Sequence, residues 1–373
     1  MLQGGRVIGI DDITDLEKTW EVPLGVSGKK AFRYFESGVR RLQRELHIPY
    51  FAAFDLFRFY EASLGCLPRY SLCHEHNGVF YGGAALACRK LGIPYVLTVS
   101  ADPLLERSLA GRPLRGFHRY VAASEARFTF RTAKRILCVS DPAKTNLVET
   151  WGVDPHKIVV MANGVDAELF NPDYSSESAR VKLGIGETNP VIGFVGGFQP
   201  WHGIDRLVEG FAKIHHDQPA SKLLLIGDGR ARPMIEQKIA ECGVCPDVII
   251  TGLVPQERVP ELMAAIDVAV LPYPELPQDL WFSPLKLYEY MASGKAIVAS
   301  RAGQIAQVIV DRTHGILTNP GDVDEMNAAI IELLENPELR ERLGKNAREK
   351  AVTQHSWDRY IQSLISVYED ALQ

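Results

Sequence analysis

Lys286 and Glu289 stand three residues apart in the run SPLKLYEYMASGKAIVAS (283–300), a spacing that puts both on one face of a helix. A surface ion pair is the plainest use of such residues and is worth little. A helix N-terminus carrying a lysine and a carboxylate also suits a phosphorylated, hydroxylated ligand. Its N–H groups and ammonium meet phosphate, and the carboxylate accepts hydroxyl protons. Two glycine turns lie in the same half of the chain. Gly196 and Gly197 close the run VIGFVGGF, and Gly227, Asp228 and Gly229 close SKLLLIGDG. Such turns let backbone approach a ligand closely, although a tight strand-to-helix connection needs them equally. The combination describes a nucleoside diphosphate site: donors and positive charge for the diphosphate, a carboxylate for the ribose diol. Neither GxGxxG nor GxxxxGK[ST] occurs, so dinucleotide and P-loop chemistry are not indicated.

The elements that must position these residues follow from apolar periodicity. Ser283 and Pro284 open a helix predicted over 283–293, Gly294 ends it, and 296–299 reads as a buried strand. Before it, strands are predicted at 191–198, 221–229, 247–254 and 267–274, with helices at 203–215, 231–242 and 259–265 between them. The N-terminal half repeats the alternation, with strands at 6–11, 70–76, 94–100, 135–140 and 157–165 and helices at 29–47 and 82–91. Residues 50–65 fit strand or helix. Such alternation implies an α/β protein of two Rossmann-like, doubly wound parallel-sheet domains, with ligands at the carboxyl ends of the strands. The expected domains are 1–170 and 171–355, joined through a polar hinge at 171–189, with the apolar stripe of 356–373 packing back on the first. Two such halves in series predict a cleft able to bring two substrates together.

At 373 residues the chain exceeds one ordinary core, and 46% hydrophobic with 23% charged residues is average for a globular protein. The opening MLQGGRVIGIDD lacks the pattern of a signal peptide and no apolar run spans a bilayer, so the expectation is a cytoplasmic protein. The six cysteines sit in apolar or helical patterns. Cys242 and Cys245 form one CxxC without a second ligand pair, so no metal site is expected. The net charge of −5 is uneven: residues 1–170 hold 22 Lys+Arg against 18 Asp+Glu. The region 107–135 is strongly basic. It is a candidate for contact with an anionic membrane, at the inner face for a cytoplasmic protein, or with an anionic acceptor, unless it is simply a solvated helix face. Nucleic acid is not indicated, because the excess is small and shows no aromatic interleaving.

From about residue 157 onward the chain resembles the retaining GT-B glycosyltransferases of the large family that includes sucrose synthase and bacterial mannosyl- and glucosyltransferases, the family-4 glycosyltransferases. The matching pieces, in order, are KIVVMANGVDAELFNP, VIGFVGGFQPWHGIDRLVEGF, LLLIGDG, VIITGLVPQERVPELMAAIDVAVLPY, SPLKLYEYMASGKAIVAS and HSWDRYIQSLISVYEDAL. In the first half, YSLCHEHNGVFYGGAALACRKLGIPYVLTVS and TAKRILCVS are similar more loosely. The resemblance implies sugar transfer from a UDP- or GDP-linked donor, retention at the anomeric carbon and no required metal or other cofactor. It places Glu289 on the ribose hydroxyls, the backbone amides of Gly196 and Gly197 on the phosphates, Gly227 at a neighbouring turn and the backbone around Val254 along the base. Ser283, Pro284, Leu285 and Lys286 would face the donor sugar and phosphates. The acceptor is not identified: a glycan, a lipid-linked saccharide or a small metabolite all fit.

Three departures from the family pattern bear on the site. Its first glutamate falls at Trp281, its phosphate-clamping arginine and lysine at Gly197 and His202, and its first-domain histidine at Ser100. Lys286 and a partly charged His202 are then the cationic candidates. The first-domain polar role moves to His74, Glu75, His76 or Asn77, with His76 taken as the catalytic candidate. RVIGID offers a strand with no glycine-rich loop after it, as a later strand would if the family's first unit were missing. The chemistry expected is loss of the nucleoside diphosphate with attack on the same face, the leaving phosphate taking the acceptor's proton. A sugar-nucleotide epimerase and a non-catalytic sugar-nucleotide-binding subunit share the fold and stand as alternatives.

Overall fold

In the second half of the chain, strand residues are apolar on both faces. Ile192 and Phe194 join one buried cluster with Leu223, Leu225, Val268 and Val270, while Val191 and Val195 join the other with Leu224, Ile226, Ala269 and Leu271. A strand buried on both sides belongs to a sheet covered by helices on both sides. The computed structural model describes residues 2–3, 6–10, 19–21, 24–46, 53–109, 113–276 and 283–373. The strands, in chain order, are β1 (Leu2–Gln3), β2 (Arg6–Ile10), β3 (Thr19–Glu21), β4 (Cys73–His76), β5 (Tyr95–Val99), β6 (Arg135–Cys138), β7 (Ile158–Val160), β8 (Val191–Val195), β9 (Lys222–Ile226), β10 (Val248–Ile250), β11 (Val268–Leu271), β12 (Ala296–Ser300) and β13 (Ile316–Thr318). The chain divides into two units, Met1–Met161 with Ser363–Gln373, and Ala162–Gln362.

The second unit holds a parallel sheet, six-stranded among the described residues, in the order β10-β9-β8-β11-β12-β13. Numbered within the unit this is 3-2-1-4-5-6, the doubly wound order, with its reversal between β8 and β11. The helices Ile204–Asp217, Arg232–Glu241 and Leu285–Ala292 connect successive strands. Gly344 of the helix Pro337–Gln354 seats the end of Leu285–Ala292, since a Cβ there would lie 2.1 Å from the Gly294 carbonyl oxygen.

The first unit holds the parallel sheet β4-β5-β6-β7, with no reversal of order among the described strands. Side chains of β4 alternate as a strand requires. Glu75 accepts the Tyr95 hydroxyl on one face, and His74 meets Tyr368 of the helix Trp357–Leu372 on the other. The strand expected at 6–11 forms outside this sheet. β2 pairs antiparallel with β1 and β3, since the segment 11–18 is too short for a parallel crossover. Residues 50–65, open between strand and helix in sequence, hold the helix Ala53–Cys66. No helix among the described residues is long and apolar enough to cross a membrane.

Candidate active site

Ligands of a doubly wound sheet bind at the carboxyl ends of its strands beside the reversal, here between β8 and β11. Gly196 follows β8 with φ +127°, and Gly227 follows β9 with φ +136°. A Cβ on Gly227 would lie 2.2 Å from the Gly196 carbonyl oxygen, so the two turns pack backbone against backbone.

The Lys286 side chain rises from the first turn of Leu285–Ala292 and ends beneath Gly196. Its Cε and Nζ lie 3.0 and 3.2 Å from where a Gly196 Cβ would stand. Nζ sits 4.3 Å from the ring centre of Phe194, the fourth residue of β8, and 5.9 Å from that of Tyr273, two residues past β11. The residue is only 8% exposed. Burial pulls its pKa down to about 7, against a weaker upward pull from Glu289. Glu289 is half-buried and pushed up to about 7 by burial, Lys286 acting the other way. No Lys286–Glu289 ion pair forms, and no described residue donates a hydrogen bond to the Glu289 carboxylate. The pair is therefore neither exposed nor spent on itself.

His202 closes the short 3-10 turn Pro200–His202. Its Nδ1 lies 2.6 Å from the Gly197 carbonyl oxygen and 3.3 Å from Lys286 Nζ. Burial and the Lys286 charge push its pKa down to about 3, only partly offset by the Gly197 contact. The shift runs against His202 as the expected second cation, and its contact with the Gly197 carbonyl holds the glycine turn.

The amide assignment also changes. The Gly196 N–H donates to Ile226 O and the Gly227 N–H to Thr251 Oγ1, which leaves Gly197 as the turn residue whose N–H takes no backbone partner among the described residues. Ser283 does not cap the helix, whose N-cap is Pro284. The Ser283 hydroxyl donates to Tyr288 and accepts from the Asn163 N–H, and its carbonyl accepts from Asn163 Nδ2. Leu285 points its side chain outward at 51% exposure. Val254 turns inward against the core and offers only backbone to a ligand. Trp281 and residue 282 lie outside the described residues.

In the first unit, His74 spends both ring nitrogens, Nδ1 on Tyr368 at 2.6 Å and Nε2 on Thr98 at 2.7 Å. Asn77 donates to Ala101 O. His76 is exposed and stacks at 6.0 Å on His74 without hydrogen-bonding a described residue, so of the four candidates it has its imidazole available.

Two contributions were not singled out from sequence. The Tyr290 hydroxyl, one residue beyond Glu289, accepts the Val195 N–H at 2.7 Å and ties the helix to β8. Arg232, in the first turn of Arg232–Glu241, reaches Asp228 at 2.7 Å beside Gly252. The i,i+4 spacing of Asp228 and Arg232 was the available signal; nothing local marks Tyr290 among its apolar neighbours.

Residues 175–350 match the family model described as glycosyl transferases group 1, and residues 21–169 match that of glycosyltransferase family 4. This chain is a family-4 glycosyltransferase. The glycosyltransferase is 29% identical over 306 residues to the MMP alpha-(1->4)-mannosyltransferase of Mycolicibacterium hassiacum, covering 80% of this chain and 70% of that one. It is 31% identical over 251 residues to the D-inositol 3-phosphate glycosyltransferase of Corynebacterium kroppenstedtii, covering 65% of this chain and 54% of that one. The crystal structure of Anabaena HepE in complex with UDP superposes with a TM-score of 0.71 at 22% identity, over 89% of both chains. The glycosyltransferase has the GT-B fold, two parallel-sheet α/β domains in series.

Proposed function

We propose that this glycosyltransferase moves a hexose from a UDP- or GDP-linked donor to an acceptor hydroxyl with retention at the anomeric carbon. The observation that carries the reading is the buried Lys286 amine, which lies beneath the glycine turn at the sheet's reversal without a carboxylate partner. A cation so placed has aromatic faces but no anion within ion-pair distance until a ligand supplies one. The diphosphate sits against Lys286, the Gly197 N–H and the open N–H groups of the helix Leu285–Ala292. Glu289 accepts the ribose hydroxyl protons. That HepE was solved in complex with UDP supports a uridine nucleotide as a ligand of this fold.

The bond from the anomeric carbon to the diphosphate oxygen breaks, and the electron pair leaves with the nucleoside diphosphate. The acceptor oxygen bonds to the same face of that carbon, and its proton passes to the departing phosphate oxygen. Lys286 stabilises charge that grows on that oxygen in the transition state. In this reading the counter-charge comes from the protein rather than from a metal, His76 lies on the acceptor side, and the donor places the reaction in the cytoplasm.

A thermal-shift screen of nucleotides and sugar nucleotides tests the donor site, since a ligand at ~100 times its Kd adds about 2.7 kcal/mol. Turnover is then followed as nucleoside diphosphate release, with and without chelator. Lys286→Ala should lower turnover more than donor binding, and Glu289→Gln should weaken donor binding. Wild-type behaviour in both variants removes the assignment. A second reading, donor binding without transfer, is favoured by the neutral His202, which thins the phosphate clamp. Binding without turnover across a broad acceptor panel would establish it. Release of diphosphate only when acceptor is present excludes epimerisation.

A further inference from the structure

An open cavity of about 670 Å³ lies in the first unit at the amino-terminal ends of three strands. Tyr95 opens β5 there, Arg135 opens β6, and Lys157 precedes β7. Ligands of open α/β sheets bind at the opposite, carboxyl ends, the end of this sheet that carries His76. The cavity is lined by Arg89, Arg131, Lys134, Arg135 and Lys157, and by no acid.

Two helices, Gly83–Leu91 and Gly116–Thr132, end at its rim, and cations beside helix C-termini are ordinary. That accounts for part of the set. Lys157 Nζ donates to the Arg131 and Ala133 carbonyl oxygens at 3.2 and 3.0 Å, closing the end of the second helix. Arg135 forks onto Asp370. Arg89 stands over the Phe128 ring at 5.8 Å, and Arg131 and Lys134 are exposed. Among the described residues no carboxylate lies within ion-pair distance of Arg89, Arg131, Lys134 or Lys157. Two helix ends together supply about one negative charge, and Asp370 supplies another. Five cations therefore leave a surplus of roughly three positive charges around one cavity.

Multivalent phosphate fits that surplus, because its oxygens accept from guanidinium forks and ammonium groups together. A cavity of this size also admits a molecule larger than a single phosphate. Its apolar side chains are all buried or half-buried, so none projects to enter an acyl layer.

We propose that this cavity binds a soluble small molecule bearing two or more phosphate groups, with Arg89, Arg131, Lys134 and Lys157 as its donors. The site goes beyond sugar transfer and does not rest on the donor reading.

Calorimetric titration of the full chain with inorganic tripolyphosphate tests it. Binding should be tighter than that of inorganic phosphate and should weaken with salt. The diphosphate site would accept the same probe, so Lys286→Ala is titrated in parallel and should keep the cavity's binding. Arg131→Gln with Lys134→Gln should raise the Kd at least about tenfold, the loss of one charge-assisted contact. Both side chains are exposed, so the melting temperature should match wild type. Arg89→Gln, on the other helix, gives an independent reading and should weaken binding as well. Absence of binding, with or without capture by phosphatidylglycerol vesicles, overturns the proposal. Undiminished binding in both cavity variants, or loss of all binding in Lys286→Ala, overturns it too. UDP is titrated on the same samples. Failure of UDP to bind while the cavity still takes tripolyphosphate counts against the donor site alone.

Discussion

Lys286 Nζ lies 3.3 Å from His202 Nδ1, and while Lys286 is charged neither nitrogen can accept from the other. Nδ1 is also 2.6 Å from the Gly197 carbonyl oxygen, which can only accept, so Nδ1 carries the hydrogen and donates it there. A charged Lys286 therefore faces a second donor and two aromatic rings. Its position is explained by what it lacks: a buried amine with no acceptor is costly in the free protein and becomes useful when an anion supplies one.

Donor affinity should depend on pH around neutrality. Lys286 is charged below its lowered pKa of about 7 and loses its charge as pH rises through that value. Glu289, raised to about 7, loses its charge as pH falls. The two limbs give a bell-shaped profile of kcat/KM. Lys286→Met should remove the alkaline limb and Glu289→Gln the acid limb. A flat profile from about pH 6 to 9 would contradict both assignments.

The same lysine makes a stability prediction of definite sign. Its folded pKa lies below the ordinary lysine value of 10.5. Between those values the unfolded chain binds the extra proton, so this group's penalty is full below about pH 7 and fades as pH rises toward 10.5. Lys286→Met should therefore melt higher than wild type near pH 7, with the difference narrowing at alkaline pH. A variant that melts lower at pH 7 would show that the amine is paired.

Gly196→Ala tests the place of Lys286 beneath the turn. The new Cβ would lie 3.0 Å from Lys286 Cε at φ +127°, where an L side chain is strained by about 1–3 kcal/mol. UDP titration should show at least a roughly tenfold loss of affinity, and denaturant unfolding should show the strain. Unchanged affinity would mean that Lys286 is not what the turn covers.

Tyr290→Phe leaves the buried Val195 N–H without its acceptor, a loss of about 1–3 kcal/mol. Val195 is the last residue of β8 before the glycine turn, so the donor KM should rise as well. A stability change within about half a kcal/mol, the range of ordinary surface substitutions, would show that the bond contributes nothing.

Reading along the chain was enough for the alternation of strand and helix in the second unit, the glycine turns after β8 and β9, and the shared face of Lys286 and Glu289. Each rests on local periodicity or on one residue's backbone freedom, so each is readable within a short window. Whether those groups are charged, buried or spent was decided by packing between distant segments. Phe194 of β8 and Tyr273 just past β11 are far apart in the chain, and together they strip water from Lys286. Ile226 takes the Gly196 amide, Asn163 takes the Ser283 carbonyl, and the Phe80 N–H donates to the Glu125 carboxylate from 45 residues away. Desolvation and hydrogen-bond occupancy depend on whatever lies within a few ångströms, and sequence separation does not enter that distance.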